Sequence, residues 1–163
     1  MGKTKGTQRR AKASVDEKLS LSAPDRDLLE SLAVECASQP SSDNTFQYAF
    51  ALAKSDNEQE LEYAVSILDG LVKENYEHQV DCMYGAATAL YRLGKYDEAR
   101  ARCEAILRSY PDNRSTAELH LACIEGAEEM KERKVKQKAV EGTVGVAAIG
   151  LALGVAGLLL KRR

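Results

Sequence analysis

Histidine is scarce in this chain, at two in 163 residues, and none of the four cysteines falls in a C-x-x-C pair. Cys36, Cys82, Cys103 and Cys123 lie far apart, with His78 and His120 as their only imidazole company. Neither a zinc site nor a thioredoxin-type motif is spelled out, so no metal is expected. Nor is there a paired-carboxylate motif, a nucleophile with its base, or a phosphate loop. No catalytic residue and no cofactor is therefore expected, and Ser41, His78 and His120 read as loop and surface residues.

The first 20 residues lack an apolar run of the length a secretory signal needs, and Gly6 stands where a myristoylation signal wants Ser or Thr. Their basic, Ser/Thr/Gly-rich composition reads as a disordered arm over residues 1–20. No later segment keeps a period of two for long, which argues against strands and for an all-α domain.

What the chain does have is a charge-free run from Gly142 to Leu160, followed by Lys161, Arg162 and Arg163. As a helix, at about 1.5 Å per residue, it reaches roughly 28 Å, close to the hydrocarbon thickness of a bilayer. Val144, Val146, Ile149, Leu151, Leu153, Val155 and Leu158 fall on every face, leaving no polar stripe for water. Gly142, Gly145, Gly150, Gly154 and Gly157 suit lipid better than water. The run is therefore predicted to be a transmembrane tail anchor over 142–160, with a basic collar over 131–141 and a basic tail over 161–163. Such an anchor inserts after translation, so the N-terminal domain is expected in the cytosol, where its cysteines stay reduced. A Gly/Ala-rich span with a short basic tail fits the mitochondrial outer membrane or peroxisomes. Gly150 and Gly154 have the G-x-x-x-G spacing that lets two spans pair, which would make a homo-oligomer.

Charge is uneven. Lys3, Lys5, Arg9, Arg10, Lys12 and Lys18 face only Asp16 and Glu17 at the N-terminus, and the collar and tail are also basic, while the whole chain is −2. The middle is therefore acidic. That excludes nucleic acid as the partner of the folded part and suits a domain held off an anionic membrane.

Between residues 21 and 130 the chain reads as six helices. The first is entered through Ser22 as cap and Pro24, with Leu29, Leu32, Ala33 and Cys36 on one face. The second is capped by Asp43 or Asn44 and carries Phe46, Ala49, Phe50 and Ala53. A third holds Leu61, Ala64, Val65, Leu68, Leu71 and Val72; a fourth, Met83, Ala86, Ala87, Leu90 and Leu93. The fifth has Ala99, Cys103, Ile106 and Leu107 and stops at Pro111, and the sixth uses Ala117, Leu121 and Ile124.

The fourth and fifth helices run Ala86-Ala87, then Leu90-Tyr91-Arg92-Leu93-Gly94-Lys95-Tyr96-Asp97-Glu98-Ala99, then Ile106-Leu107 and Pro111. This closely resembles a tetratricopeptide repeat. Small residues at Ala87 and Ala99 let two helices cross closely, Gly94 permits the turn, and Pro111 ends the second helix. A looser copy lies upstream, with Ala49 and Ala64 in the small positions and a longer loop between its helices. Stacked pairs leave a concave face lined by the first helix of each repeat. The register places Asp81, Tyr84, Thr88, Tyr91 and Arg92 there from the second repeat, and Asp43, Phe46, Phe50, Ala53 and Lys54 from the first. Such a row of aromatics and charges can hold a peptide.

Two such repeats in six helices, followed by a span with a short basic tail, resemble the mitochondrial fission 1 protein family. Phe46-Gln47-Tyr48-Ala49-Phe50-Ala51-Leu52 is similar to that family's first repeat. Tyr91-Arg92-Leu93 with Tyr96 and Ala99 is similar to its second, and Ala152-Leu153-Gly154-Val155-Ala156-Gly157-Leu158 to its anchor. The resemblance implies a non-catalytic adaptor, single-pass in the outer mitochondrial membrane with a cytosolic N-terminus, and also in the peroxisomal membrane. It also implies, as partners, a dynamin-related GTPase and fission adaptors, besides the bilayer itself. Two alternatives remain. A tail-anchored receptor of the protein-import or chaperone-docking type would need a basic carboxylate clamp, for which Lys54 and Arg92 are few. A membrane-shaping protein acting through Gly150 and Gly154 would need no groove.

Overall fold

The computed structural model describes residues 4–160, with side chains described over 4–142. Seven helices, and no strand, occupy the described residues: α1 (Lys5–Leu21), α2 (Arg26–Ser38), α3 (Ser42–Leu52), α4 (Glu58–Lys73), α5 (Gln79–Arg92), α6 (Tyr96–Ser109) and α7 (Arg114–Leu160). The chain forms two compact units, Met1–Ala127 and Glu128–Arg163.

The expected disordered arm is a helix, and the six expected helices are seven. Ala11, Val15 and Leu19, each four residues after the last, give α1 a narrow apolar stripe. Ala11 and Val15 are buried, and Leu19 packs beside them. Composition alone hid this, because the other faces of α1 are charged.

Two caps also differ from expectation. Pro24 disfavours helical backbone at Ala23, so α2 starts after it, and the Asp25 carboxylate accepts from the Leu28 N–H at 2.7 Å. Ser22 instead ends α1, its N–H bonding to the Lys18 carbonyl. For α3 the cap is Ser41, accepting from the Asn44 N–H at 3.1 Å, rather than Asp43 or Asn44, which already lie within the helix. Asn57 caps α4 and Asn113 caps α7 in the same way.

Helices α3/α4 and α5/α6 are the two repeats. Ala49, Ala64, Ala87 and Ala99, the four small positions, are all fully buried, so the helices of each pair approach closely. Gly94 takes a left-handed φ of 72° between α5 and α6, and Lys95 N–H then reaches the Leu90 carbonyl at 2.9 Å. Asn75 makes the matching turn after α4 at φ 57°, which asparagine tolerates better than most residues. One core joins α2 to α5 around Leu29, Leu52, Leu61, Leu68 and Cys82. A second joins α1, α5, α6 and the start of α7 around Val15, Leu90, Cys103, Leu119 and Cys123. Across the outside, Arg102 holds the Asp69 carboxylate with both guanidinium arms, tying α6 to α4.

Two glycines in these helices should respond oppositely to alanine. A Cβ on Gly126 would lie 2.5 Å from Cε1 of the Tyr96 ring, whereas one on Gly70 would meet nothing within 4 Å. Gly→Ala in an open helix stabilises by about 1 kcal/mol, while overpacking costs about 1–3 kcal/mol. Urea denaturation should therefore show Gly70→Ala raising stability and Gly126→Ala lowering it. The same sign at both positions contradicts the close α6–α7 crossing.

The second unit is described by itself. It presents exposed Lys131, Arg133, Lys134, Lys136 and Lys138, the expected collar, with Gln137 bonded to Glu141 at 3.1 Å one turn on. Most of the expected span, including Gly150, Gly154 and Leu160, and the tail of Lys161, Arg162 and Arg163 lie outside the residues whose side chains are described; Gly142 is their last. Among the described residues no helix is long and apolar enough to cross a membrane.

Candidate functional site

The face expected to bind a partner is built on α3 and α5. Gly85 on α5 leaves room for the Phe50 ring, which approaches the place a Cβ would fill to 2.9 Å. From there a row of rings follows α3: Phe50 and Phe46 are 5.2 Å apart by centroid, and Phe46 and Tyr76 5.7 Å. The Lys54 ammonium lies over the Phe50 ring at 4.8 Å. Phe46 and Phe50 are half-buried, so their faces are only partly used by the core.

The second repeat's half is not open. Thr88 and Tyr91 are buried, and Tyr91 lies under α1, its hydroxyl donating to the Asp16 carboxylate at 2.6 Å. Burial first, and that hydrogen bond second, hold the Tyr91 phenol protonated well above its ordinary range. Thr88 donates to the Tyr84 carbonyl within α5 at 3.0 Å. Tyr84 is half-buried against the second core, and burial raises its pKa too. Arg92 is engaged as well: its Nε donates to the Ser55 carbonyl at 2.8 Å, and its other arm pairs with Asp56. The ten expected groove residues thus divide, and Ala53 is buried in the first core. Asp43, Phe46 and Asp81 share one cavity of about 330 Å³, and Tyr91 and Arg92 share another of about 330 Å³ with Asp16 and Leu19.

Helix α1 covers that second half through polar contacts as well as Val15. Lys18 pairs with Glu118 at 2.5 Å. Lys5 and Arg9 lie 3.1 and 3.3 Å from the two carboxylate oxygens of Glu125, whose side chain is 3% exposed. Glu125 sits on α7 among Leu121, Ala122 and Gly126, an apolar stretch in which a carboxylate needs a partner. That was the available signal in the sequence: a lone acid on a buried helix face and a basic segment elsewhere to answer it.

Glu118 makes the contact sensitive to acid. Burial pushes its carboxyl up, but hydrogen bonds from Lys18 and Ser14 outweigh this and leave it below the usual range. A lowered carboxyl contributes stability that is full above its unfolded value, about 4.3, and is lost as pH falls through the lower folded one. Hydrogen exchange of residues 5–21 should therefore be unchanged between pH 7 and 5 after correction for intrinsic rates, and should lose protection below about pH 4. Protection that weakens between pH 7 and 5 would place the sensitive group elsewhere.

Paired helices stacked to leave one shared face, with an aromatic row on that face, define a tetratricopeptide-repeat binding protein. Comparison with known proteins agrees. Residues 80–126 match the family model described as the Fis1 C-terminal tetratricopeptide repeat. The mitochondrial fission 1 protein of Mus musculus is 30% identical over 76% of this chain and 76% of its own length. That of Yarrowia lipolytica is 30% identical over 71% and 68%. The chain belongs to the mitochondrial fission 1 protein family. Its fold is shared with the fission protein Fis1 from Saccharomyces cerevisiae, at a TM-score of 0.64 and 20% identity over 72% of this chain and 95% of that one. A yeast Fis1 solved in complex with an Mdv1 fragment, containing N-terminal extension and coiled coil domains, aligns at 0.56 and 22% identity over 71% and 88%.

Proposed function

We propose that this chain is a membrane-tethered adaptor that recruits a dynamin-related GTPase or its regulators for division of mitochondria and peroxisomes, binding them on the face of α3 and α5. The observation that carries the reading is α1 itself. An amphipathic helix already lies against α5 and α7, seated by Val15 and by the Tyr91–Asp16 bond, so the face has the shape and chemistry to take a helix. The yeast Fis1 solved in complex with an Mdv1 fragment supports the same use of the fold. Asp43, Phe46, Phe50 and Lys54 form the open end for first contact, and a partner that fills the whole face takes the place of α1 over Tyr84, Thr88, Tyr91 and Arg92. The charge-free run to Leu160 would hold the domain at the membrane, with Lys161, Arg162 and Arg163 directing it to the mitochondrial outer membrane.

An import or chaperone receptor would need free cations in the face to clamp a carboxylate. Arg92 is held by Ser55 and Asp56, and Lys54 lies on Phe50, so that reading has less support.

The test is calorimetric titration of the full chain in detergent micelles with an adaptor fragment of the N-terminal-extension and coiled-coil type. Truncating buried interface aromatics typically costs about 2 kcal/mol or more, so Tyr84→Ala with Tyr91→Ala should weaken binding about thirtyfold. Equal affinity for both chains, with both folded by circular dichroism, sinks the assignment of this face.

A further inference from the structure

The aromatic row on α3 has two ends, and among the described residues a lysine lies over one of them. At the first, the Lys54 ammonium lies over Phe50. The other end is Phe46, with Tyr76 at 5.7 Å and His78 stacked at 6.1 Å, and Tyr76 and His78 meet edge to face at 5.3 Å. These three rings wall the cavity of about 330 Å³, whose rim is formed by Asp43, Glu77 and Asp81. No lysine or arginine is among its lining residues.

The rim is ordered. The Tyr76 hydroxyl donates to one Asp43 oxygen at 2.7 Å, which fixes the ring beside a carboxylate that lines the cavity. His78 Nδ1 lies 3.6 Å from the Asp81 carboxylate. Rings used only as core would be fully buried, yet Phe46 and Tyr76 are half-buried and His78 is exposed. The combination of ring faces, negative at their centres, with three carboxylates and no lysine or arginine among the described lining residues is complementary to one kind of group: a cation on an apolar stem.

We propose that the cavity walled by Phe46, Tyr76 and His78 takes a lysine or arginine side chain from a peptide segment of the partner protein, with Asp43, Glu77 and Asp81 holding its charge. This names the partner's chemistry at the open end of the face and rests on the reading that a partner binds there. The alkyl stem lies along Phe46, in line with Phe50 and the rest of α3, so the bound segment continues along the face instead of ending in the cavity. Steering by the three carboxylates makes binding at this end salt-sensitive.

The probes are two capped five-residue alanine peptides, one with a central lysine and its twin with norleucine, titrated into the full chain in detergent micelles and followed by NMR. The lysine peptide should shift the ring resonances of Phe46, Tyr76 and His78 and bind at least fivefold more tightly than the norleucine one. Asp43→Asn with Asp81→Asn, both exposed and safe for folding, should remove that preference, and Phe46→Leu should weaken the lysine peptide. Equal response to both peptides, or shifts that spare the three rings, overturns the proposal. The adaptor fragment separates this from the recruiting function. If it binds the Asp43→Asn, Asp81→Asn chain unchanged but loses affinity for the Tyr84→Ala, Tyr91→Ala chain, the cation site falls and recruitment stands. If the lysine preference follows the carboxylates, and the fragment loses affinity for the Asp43→Asn, Asp81→Asn chain but binds the Tyr84→Ala, Tyr91→Ala chain unchanged, the site stands and the recruiting face over α5 falls.

Discussion

A chain with Lys5→Ala and Arg9→Ala together is expected to lose about 3 kcal/mol of stability, far more than two exposed basic residues normally contribute. The reason lies with their partner. Both cations are partly exposed, at 41% and 68%, but Glu125 is 3% exposed and faces both. Surface ion pairs are worth about 0–1 kcal/mol, whereas removing the partners of a buried charge costs about 3–5 kcal/mol because the remaining charge stays desolvated. The loss falls at the low end, since release of α1 would let water reach Glu125. The same asymmetry predicts rescue: adding Glu125→Leu removes the stranded charge and should recover most of the loss. Urea denaturation of the double and triple variants decides this, and a triple no more stable than the double contradicts the account of how α1 is held.

The second large effect is expected from Val15→Asp. Val15 is 7% exposed and packs with Leu90, Leu119 and Ala122. An ionised carboxylate cannot be accommodated there without a partner, and α1 has an alternative that core helices lack, because it is terminal and can leave. The variant should therefore keep α2 to α6 folded while residues 5–21 lose about a hundredfold in hydrogen-exchange protection, equivalent to about 2.7 kcal/mol. With α1 no longer competing for Tyr84 and Tyr91, the adaptor fragment should bind about tenfold or more tightly, since affinity scales with the fraction of chains whose face is free. Protection of α1 at its original level would mean that Val15 does not seat it.

Helices α4 to α6 were legible because their signals are local. Leu61 to Val72 keep a helical period, and Gly94 between Tyr91 and Ala99 marks a turn whose geometry the structure repeats, with the helices meeting at Ala87 and Ala99 as expected. The arm was not legible. Its stripe of Ala11, Val15 and Leu19 is too narrow to stand out among lysines and arginines, and its complement, Leu119, Ala122 and Glu125, lies about a hundred residues away. The register puts Phe46 and Phe50 on one side of α3, where their rings are neighbours. It could not show that Tyr91 would spend its hydroxyl on Asp16, or Arg92 its guanidinium on Ser55 and Asp56. Tyr76 and His78 belong to the loop before α5, where no period operates, so the sequence shows His78 only as a loop residue and does not single out Tyr76. They join Phe46 only through the turn at Asn75.

The central claim is that partners are held on the α3/α5 face, and photo-crosslinking tests it most directly. Benzoylphenylalanine placed at Phe50 or Tyr84 samples that face, while at Tyr63, 56% exposed on the outer helix α4, it samples the opposite one. With the adaptor fragment present, the account predicts crosslinks from positions 50 and 84 and none from 63; crosslinks from 63 alone would contradict it.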